Sequence, residues 1–517
     1  MRLLAFLVGL LCTVPSWALD VEVLFVRTDA DCARYGCGAG SGNSPANAIE
    51  NSALLYSAVD GTPGRVDPGD MVVYLQRVDD DVGFITADRK NATSFITPGA
   101  DITGDPLSCT LFSGDGTLWG YRARASLDGE NSTTRGIDSG TANNAYWCIF
   151  SLELKRFTSN GILSQGTYSD VTNWWIQGVW SHDNRGANAR GMDFRGTGLR
   201  LMLSVFENTG NDTFYGEGSS FHIAFNQFLW PSLDGTDGDG IQIDKSAADT
   251  WIHHNLFKTR IDAKQGVFIS TTETGNGYGR IDDNDCYGPS ATATVHTCFF
   301  VKNAGGNRWF FRRNYGERSR YLIFCGNDAA SDTKCTAIGN IGLRLASFGI
   351  QGGTNTSDHE FKQNSIFDAP ICIATNGATG TSVIQNNALR KCATAAIRKN
   401  AGDAESYNAV FGSGDFVQNI TTPTTPGTGA VTADPLWQSS APDGPGDVCL
   451  QPGSPLFAAG TPLGVSATGY GAQDLGAVPV IGARAACDLR RASIQRRQAG
   501  SRRAVPERRA APERRAL

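Results

Sequence analysis

Short apolar runs separated by small and polar residues recur through the middle of the chain at a nearly fixed interval. Between residues 168 and 404 a cassette that opens apolar and closes on Asn appears as Ile223-Ala-Phe-Asn226, Ile252-His-His-Asn255, Ile281-Asp-Asp-Asn284, Phe311-Arg-Arg-Asn314, Phe361-Lys-Gln-Asn364 and Ile384-Gln-Asn-Asn387. The first steps between these Asn residues are 29, 29 and 30 positions, a period that belongs to stacked coils. After a turn of variable length a second apolar run follows, as in Gly240-Ile-Gln-Ile243, Gly266-Val-Phe-Ile269, Cys298-Phe-Phe-Val301, Tyr321-Leu-Ile-Phe324 and Pro370-Ile-Cys-Ile373. These runs are too short for helices. Their Ile, Phe, Val and Trp alternate with polar positions at period two, which predicts strands. Two or three strands per coil predict an all-β solenoid, a parallel β-helix whose rungs lie ~4.8 Å apart. Ile241 and Ile243 then point inward and Gln242 outward. The repeated Asn is expected in the tight bend, itself in the left-handed conformation, with its amide bonded to the same amide one coil above.

The ends of the chain add a compartment. Met1-Arg2, the apolar run from Leu3 to Leu11 and Pro15-Ser-Trp-Ala18 read as a secretory signal over 1–18. No other apolar stretch approaches the ~20 residues of a membrane-spanning helix, so no transmembrane segment is expected. A secreted or periplasmic location follows, and cysteine usage agrees. Without Cys12 there are twelve cysteines and no C-x-x-C pair, which predicts disulfides rather than zinc. Neighbour pairing is the simplest scheme: Cys32–Cys37, Cys109–Cys148, Cys286–Cys298, Cys325–Cys335, Cys372–Cys392 and Cys449–Cys487. Residues 19–145 are expected to form an N-terminal cap and irregular first coils, 146–420 the regular β-helix, and 421–482 a C-terminal closing segment. Residues 483–517, rich in Arg, Ala and Pro, are expected to be a disordered tail.

Charge separates body from tail. The tail holds eleven Arg against Asp488, Glu507 and Glu513, while the whole chain carries a formal net charge of −6, so the folded body is acidic. A nucleic-acid reader would place positive charge on the fold itself, and no nucleic-acid partner is expected. The tail is read as a solvated extension, with contact to an anionic cell surface as the sharper alternative. The chain is expected to be a monomer.

Six segments carry a resemblance: Gly40-Ser-Gly-Asn-Ser-Pro-Ala-Asn47, Val66-Asp-Pro-Gly-Asp-Met-Val-Val73, Gly238-Asp-Gly-Ile-Gln-Ile-Asp244, Ala433-Asp-Pro-Leu-Trp437, Leu450-Gln-Pro-Gly-Ser-Pro455 and Gly471-Ala-Gln-Asp-Leu-Gly-Ala477. They resemble secreted bacterial proteins with right-handed parallel β-helix repeats, the pectate-lyase-like superfamily. The resemblance implies a right-handed coil with capping segments at both ends. That superfamily holds lyases, hydrolases, epimerases and non-catalytic adhesins, so the reaction must come from the site.

Aligned second strands put Arg190, Asp212, Asp239, Gln265, Thr297 and Arg320 in one outward column, with Asp193, Tyr215, Glu217, Asp237, Gln242, Asp244, Lys245, Lys264, His296 and Lys302 beside it. A polar column on consecutive rungs forms a rigid groove floor for an extended polymer. Acids dominate the early coils and bases the later ones, a gradient suited to an acidic polysaccharide gripped partly through Ca²⁺. The favoured reading is a polysaccharide lyase acting by β-elimination on a uronic-acid polymer. Ca²⁺ would sit on Asp212, Asp237, Asp239 and Glu217, with Asp262 a further candidate, and would neutralise the sugar carboxylate. Lys264 is the first choice of base and Lys302 the second. Arg320 would take the carboxylate in bidentate fashion, while Gln242, Asp244, Lys245, His296 and Tyr215 would contact substrate. Two alternatives use the same face. A glycoside hydrolase would pair two of Asp212, Asp237, Asp239 and Asp244, though no Gly-His-Gly or Arg-Ile-Lys is found; a glycan-binding adhesin would need no convergence of catalytic groups. His253-His254, Asp282-Asp283 and Arg312-Arg313 share two columns and read as a surface charge ladder. Trp174, Trp180 and Trp230 are candidate sugar-stacking rings, with core or turn packing as their structural alternative. No G-x-S-x-G, phosphate-binding Gly-Lys loop or H-E-x-x-H is present, which turns the reading away from serine-hydrolase, nucleotide and zincin chemistry.

Overall fold

The computed structural model describes residues 125–456 apart from 130, 133, 140–143, 146, 165–170, 233–237, 261–262, 271–277, 290–295, 303–307, 327–332, 354–357, 376–380, 420–421 and 452–453, together with four earlier strands within 23–114. The expected signal, the Arg-rich tail, residues 457–482 and the remainder of the N-terminal segment lie outside the described residues.

Each coil contributes three strands, one more than the cassette and its follower make obvious. One coil runs through His222–Ala224, Gln227–Leu229 and Ile241–Asp244, and Thr250–His253 starts the next. Equivalent strands pair in parallel from coil to coil: Ile223 with Ile252, Phe228 with Phe257, and Ile241 with Val267. The fold is therefore a parallel β-helix with three faces. The first strands build a fourteen-stranded sheet, called sheet one below; the second and third strands of each coil build sheets two and three. Val23–Val26, Met71–Tyr74 and Thr110–Gly114 extend sheet one in the same parallel sense. Among the described residues no helix is long and apolar enough to cross a membrane.

Period-two alternation sends one residue set inward, where like stacks on like. Ile223, Ile252, Ile281 and Phe311 form one such row, and Ile241, Val267, Phe299 and Ile323 another, all without solvent exposure. In sheet two, Phe206, Phe228 and Phe257 stack nearly parallel, with centroids 5.7 and 5.3 Å apart. Each such side chain contributes ~1.5–3 kcal/mol by leaving water, so the solenoid is held by rows rather than by one globular core.

The bend between sheets one and two is where the Asn residues sit, with one difference from expectation. The left-handed residue is the one before each Asn: Phe225, His254, Asp283, Arg313, Gln363 and Asn386 have φ of 59°, 56°, 54°, 54°, 53° and 57°. The Asn itself is buried and bonds upward. Asn255 Nδ2 and its backbone N–H both donate to Asn284 Oδ1, at 3.1 and 3.0 Å, and Asn284 repeats the pattern onto Asn314. Its other amide hydrogen goes to a backbone carbonyl of an earlier coil, Ile252 O for Asn284 at 3.0 Å. An Asn is needed because only an amide supplies two donors and an acceptor in that small volume. The strained corner falls to its neighbour, which varies from Phe and His to Asp, Arg, Gln and Asn. Asn340 and Asn408, outside the recognised cassettes, belong to the same ladder.

Cys286–Cys298, Cys325–Cys335 and Cys372–Cys392 are disulfides, as the neighbour scheme expects. Cys148 and Cys449 are also disulfide-bonded; their expected partners Cys109 and Cys487, and the pair Cys32–Cys37, lie outside the described residues. Parallel stacking ends where Asp415–Asn419 meets Thr422–Thr424 antiparallel. Beyond it, Trp437, Val448 and Leu456 cover Tyr315, Ile341, Leu343 and Phe367 on the outer side of sheet two, with Trp437 edge-on to Phe367.

Candidate active site

Sheet three carries the candidate face. Its register lays Asp193, Tyr215, Gln242, Phe268, Phe300 and Phe324 in one outward column. Two positions on, Arg195, Glu217, Asp244, Ser270 and Lys302 form a second. The face thus has two tiers, ionisable in the early coils and aromatic in the later ones.

The ionisable tier closes around Tyr215. Its hydroxyl lies 2.6 Å from Glu217 Oε1 and 3.1 Å from Asp244 Oδ2, and one hydroxyl can donate to only one of them. Arg190 lies over the ring at 3.8 Å while its Nη1 donates to Asp193 at 2.8 Å and its Nε to Asp212 at 3.1 Å. Lys245 Nζ donates to Glu217 at 2.6 Å, and Gln242 Nε2 to Asp244 at 3.0 Å. Arg195 Nε reaches Asp193 at 3.2 Å. Burial, followed by the two carboxylates, raises the Tyr215 pKa and keeps the group a phenol. Burial and the nearby Glu217 also raise Asp244, against the hydrogen bonds of Gln242 and Tyr215. The pair is therefore asymmetric: Glu217 has an ammonium partner, and Asp244 is the one disposed to hold a proton.

Asp212 and Asp239 are not groove residues. They are 1 % and 2 % exposed, and each accepts a backbone N–H from the next coil: Asp239 N donates to Asp212 Oδ1 at 2.9 Å, and Gln265 N to Asp239 Oδ1 at 2.8 Å. Asn160 receives the Arg190 N–H in the same way at 3.2 Å. This is a second side-chain ladder, at the turn into sheet three, built from carboxylates. Burial drives Asp212 up to about 6, against Arg190. Burial, and then Asp212, drives Asp239 well above the ordinary carboxylate range. These observations correct the expected Ca²⁺ set. Two of its members are sealed turn residues whose oxygens accept the next coil's backbone N–H, Glu217 is held by Lys245, and Asp237 and Asp262 lie outside the described residues. Among the described residues the group of three possible ligands that converges is Cys286, His296 and Cys298, with both sulfurs committed to a disulfide. Among the described residues Asp212, Asp239 and Glu217 do not converge as calcium ligands, and no chemistry below runs through the ion.

The basic residues separate by register. Thr297 pairs with Tyr321 rather than Arg320, so Arg320 leaves the expected column and falls one position earlier, in line with His296 and Lys264; the slip arises because Tyr321, not Arg320, begins its strand. His296 is a further correction. Its side chain is 0 % exposed, its Nε2 lies 3.5 Å from Cys286 Sγ and 3.3 Å from Thr259 Oγ1, and burial takes its pKa to about 3. It packs inside the stack and cannot touch a polymer on the face. Lys264 is half-buried, close enough to Asp239 for its charge to act on that carboxyl. Arg320 is exposed, its guanidinium 4.9 Å from the Tyr321 ring. With the buried His296 rung between them, Lys264 and Arg320 stand two rungs apart, about 9–10 Å. Lys302 belongs to the other edge of the strands. Trp174 is core, stacked on Trp147 at 4.6 Å, whereas Trp230 is 40 % exposed.

Sequence reasoning missed the aromatic tier. Phe300 lies 5.2 Å from Phe268 and stacks on Phe324 at 4.8 Å, and Tyr321 stacks on Phe324 and Phe348 at 5.1 and 5.6 Å. The signal was present: Phe268 occupies the middle of Val-Phe-Ile just as Gln242 occupies the middle of Ile-Gln-Ile.

No family model and no curated protein matches this sequence. Among solved structures the chain is similar to pectate lyase Pel9A (13 % identity, 90 % of this chain and 97 % of that one, TM-score 0.35). It is also similar to the catalytic unit of a thermostable GH87 α-1,3-glucanase from Streptomyces thermodiastaticus strain HF3-3 (10 %, 79 % and 69 %, 0.41) and to an alginate lyase from Paenibacillus sp. str. FPU-7 (12 %, 78 % and 99 %, 0.35).

Proposed function

We propose that this chain is a carbohydrate-active protein that lays an acidic polysaccharide along the outer face of sheet three and cleaves it by β-elimination. One observation carries the reading: Phe300 stacks on Phe324 and lies tilted against Phe268, a run of rings with Lys264 and Arg320 along one edge and Lys302 along the other. Pyranose rings offer C–H faces to aromatic rings, and uronate carboxylates seek the flanking cations. Lys264 and Arg320 stand two rungs apart on the same edge with the His296 rung between them, a spacing of about 9–10 Å that one uronate would bridge. Arg320 would hold the carboxylate, and Lys264 would take the C5 proton. The C5–H electrons then form the C4=C5 double bond, the C4–O bond breaks, and the leaving oxygen is protonated. Gln242, Asp244, Lys245 and Tyr215 would hold the chain in the preceding coils.

A second reading, hydrolysis, is favoured by the Tyr215 cluster. Glu217 and Asp244 share one hydroxyl, which places their nearest oxygens closer than the ~6.5–9.5 Å of an inverting pair. Asp244 would be the acid and Glu217 the nucleophile. Incubation with polygalacturonate and with alginate separates the readings. Growth of the ultraviolet absorbance of an unsaturated uronate, lost in Lys264→Ala and kept in Asp244→Asn, supports elimination. New reducing ends without that absorbance, lost in Asp244→Asn, would move the assignment to hydrolysis. Neither signal on any uronate polymer would overturn both.

A further inference from the structure

Sheet one presents an outer face that the cleavage reading does not use. Its outward column, from coil to coil, is Trp175, Arg200, His222, Trp251, Arg280 and Phe310. Flat rings and guanidinium groups share that column over five steps of ~4.8 Å. The middle is fixed in place. Trp251 Nε1 donates to Asp282 at 3.2 Å, His222 lies parallel to the indole at 5.1 Å, and the Arg280 guanidinium stands 4.5 Å over it. Cross-strand pairing accounts for that trio. It does not account for Trp175, which remains 38 % exposed next to the exposed Arg200, nor for Phe225 and Tyr278 at the ends of the strands, exposed by 45 % and 49 %. Three of the five large hydrophobic side chains that the described residues expose therefore belong to this one face.

The charge on the face is positive, in a chain whose net charge is −6. The nearby carboxylates are already matched: Arg312 takes Asp282 through two bonds of 2.9 and 2.5 Å, and Arg313 takes Asp283 through two of 2.9 and 2.7 Å. The exposed Asp249 stands at the edge of the sheet. Arg200 and Arg280 act together on His222, which they and, foremost, its burial keep deprotonated. His253 and His254 complete the surround, His253 Nε2 at 2.8 Å from His222 Nε2 and its Nδ1 at 2.8 Å from His254 Nδ1.

We propose that the outer face of sheet one is a second, non-catalytic binding surface for an anionic polysaccharide, which runs along the coil axis with a sugar ring against the exposed Trp175 and its carboxylate or sulfate groups on Arg200 and Arg280. Flat rings at a rung-defined repeat suit pyranoses, whose C–H faces are apolar, and interleaved guanidinium groups supply the forks an anionic sugar requires. A single-stranded nucleic acid also stacks on rings and pairs with Arg, but such binders track the phosphates with a continuous basic groove, and here two Arg stand in an acidic body. The surface lies on a different sheet from Lys264 and Tyr215, so it anchors polymer without entering the reaction.

The test uses the full chain and two variants at exposed positions, Arg200→Gln and the double Trp175→Ala/Arg200→Gln, each required to unfold at the temperature of the parent. Retardation is measured in gels containing polygalacturonate, alginate or neutral glucomannan, with an oligothymidylate as the rival probe. The expected result is an apparent Kd for an anionic glycan raised about ten-fold in the double variant and less in the single one, with parental binding weakened by salt. Turnover of short uronate oligosaccharides should be unchanged, which keeps this inference separable from the cleavage face. Unaltered affinity for the anionic glycans in the double variant would overturn it, as would equal retention of neutral glucomannan or tighter binding of the oligonucleotide.

Discussion

Acid should weaken this chain through histidines that the fold keeps neutral, and His359 isolates the effect. The ring is 0 % exposed and lies nearly parallel to Phe361 at 5.4 Å. Its Nδ1 accepts the Cys335 backbone N–H at 3.3 Å. Protonation would turn that acceptor into a donor facing a donor, and burial, the largest cause, holds the pKa down to about 4, with Asp403 and Asp358 pulling up and Arg308 pulling down. In the unfolded chain the value is ~6.5. Between those limits the unfolded state binds more protons, so stability falls as pH falls, beginning at ~6.5 and ending near 4. At pH 5 the loss from this one residue is about 2 kcal/mol. The parent's own pH curve does not report it cleanly. His296 and His253, both held near 3, add in the same direction, whereas Asp212 and Asp239, raised in the fold, gain stability on acidification. His182, raised by its bonds to Asp183 and Glu153 although burial opposes them, has its full stabilising effect already below ~6.5 and changes nothing in the window. The comparison is therefore between parent and His359→Asn, whose Oδ1 can stand in for Nδ1. Urea unfolding should show the variant weaker by about 2–4 kcal/mol at pH 7.5, from lost packing, and the gap should narrow by about 2 kcal/mol at pH 5. A gap of constant size would show that His359 titrates alike in both states and would refute the argument.

Three further outcomes follow from the same geometry. Asn284→Ala removes the acceptor of the buried Asn255 N–H and the donor to Ile252 O; urea unfolding should show a loss of about 2–5 kcal/mol, because orphaned buried groups carry their full desolvation cost. Gly218 has φ of +131° and an added Cβ would run into the Gly196 carbonyl of the neighbouring strand, so Gly218→Ala should cost roughly 3 kcal/mol or more by the same measurement and disturb Glu217 beside it. Tyr215→Phe deletes the hydroxyl between Glu217 and Asp244; on the elimination reading polymer retardation should weaken with kcat little changed, whereas a fall in turnover of about 10²-fold with retardation intact would move proton transfer to that cluster.

Architecture was legible because two signals coincide. Period-two apolar runs such as Ile-Gln-Ile and the near-constant 29–30-residue step of the cassette both point to rungs, and the Asn ladder confirms the register they imply. The site was less legible, for reasons that differ by residue. Asp212 and Asp239 look like groove acids because sequence cannot distinguish a carboxylate that faces solvent from one that caps the next coil's N–H; the surrounding Gly-rich turns allow either. His296 follows a loop of variable length, and a single residue of slippage turns a side chain from one face to the other. Arg320 was misplaced by that same one-residue ambiguity.

Phe268, Phe300 and Phe324 were overlooked for the opposite reason: in Val-Phe-Ile, Phe-Phe-Val and Leu-Ile-Phe every residue is apolar, so alternation vanishes and inside cannot be told from outside without the register of Ile241, Gln242 and Ile243. Loss of alternation is itself informative. A strand that needed only a core would place polar residues outward, as Ile241–Asp244 does with Gln242 and Asp244; three successive rungs place Phe in that column instead, half-buried at Phe268 and Phe324 and buried at Phe300, and the proposed sugar contact rests on that run. On sheet two an outward apolar set, Tyr315, Ile341 and Phe367, serves the fold because Trp437, Val448 and Leu456 cover it; the ring-and-cation column of sheet one instead leaves Trp175 38 % exposed, which is why the second binding surface is placed there.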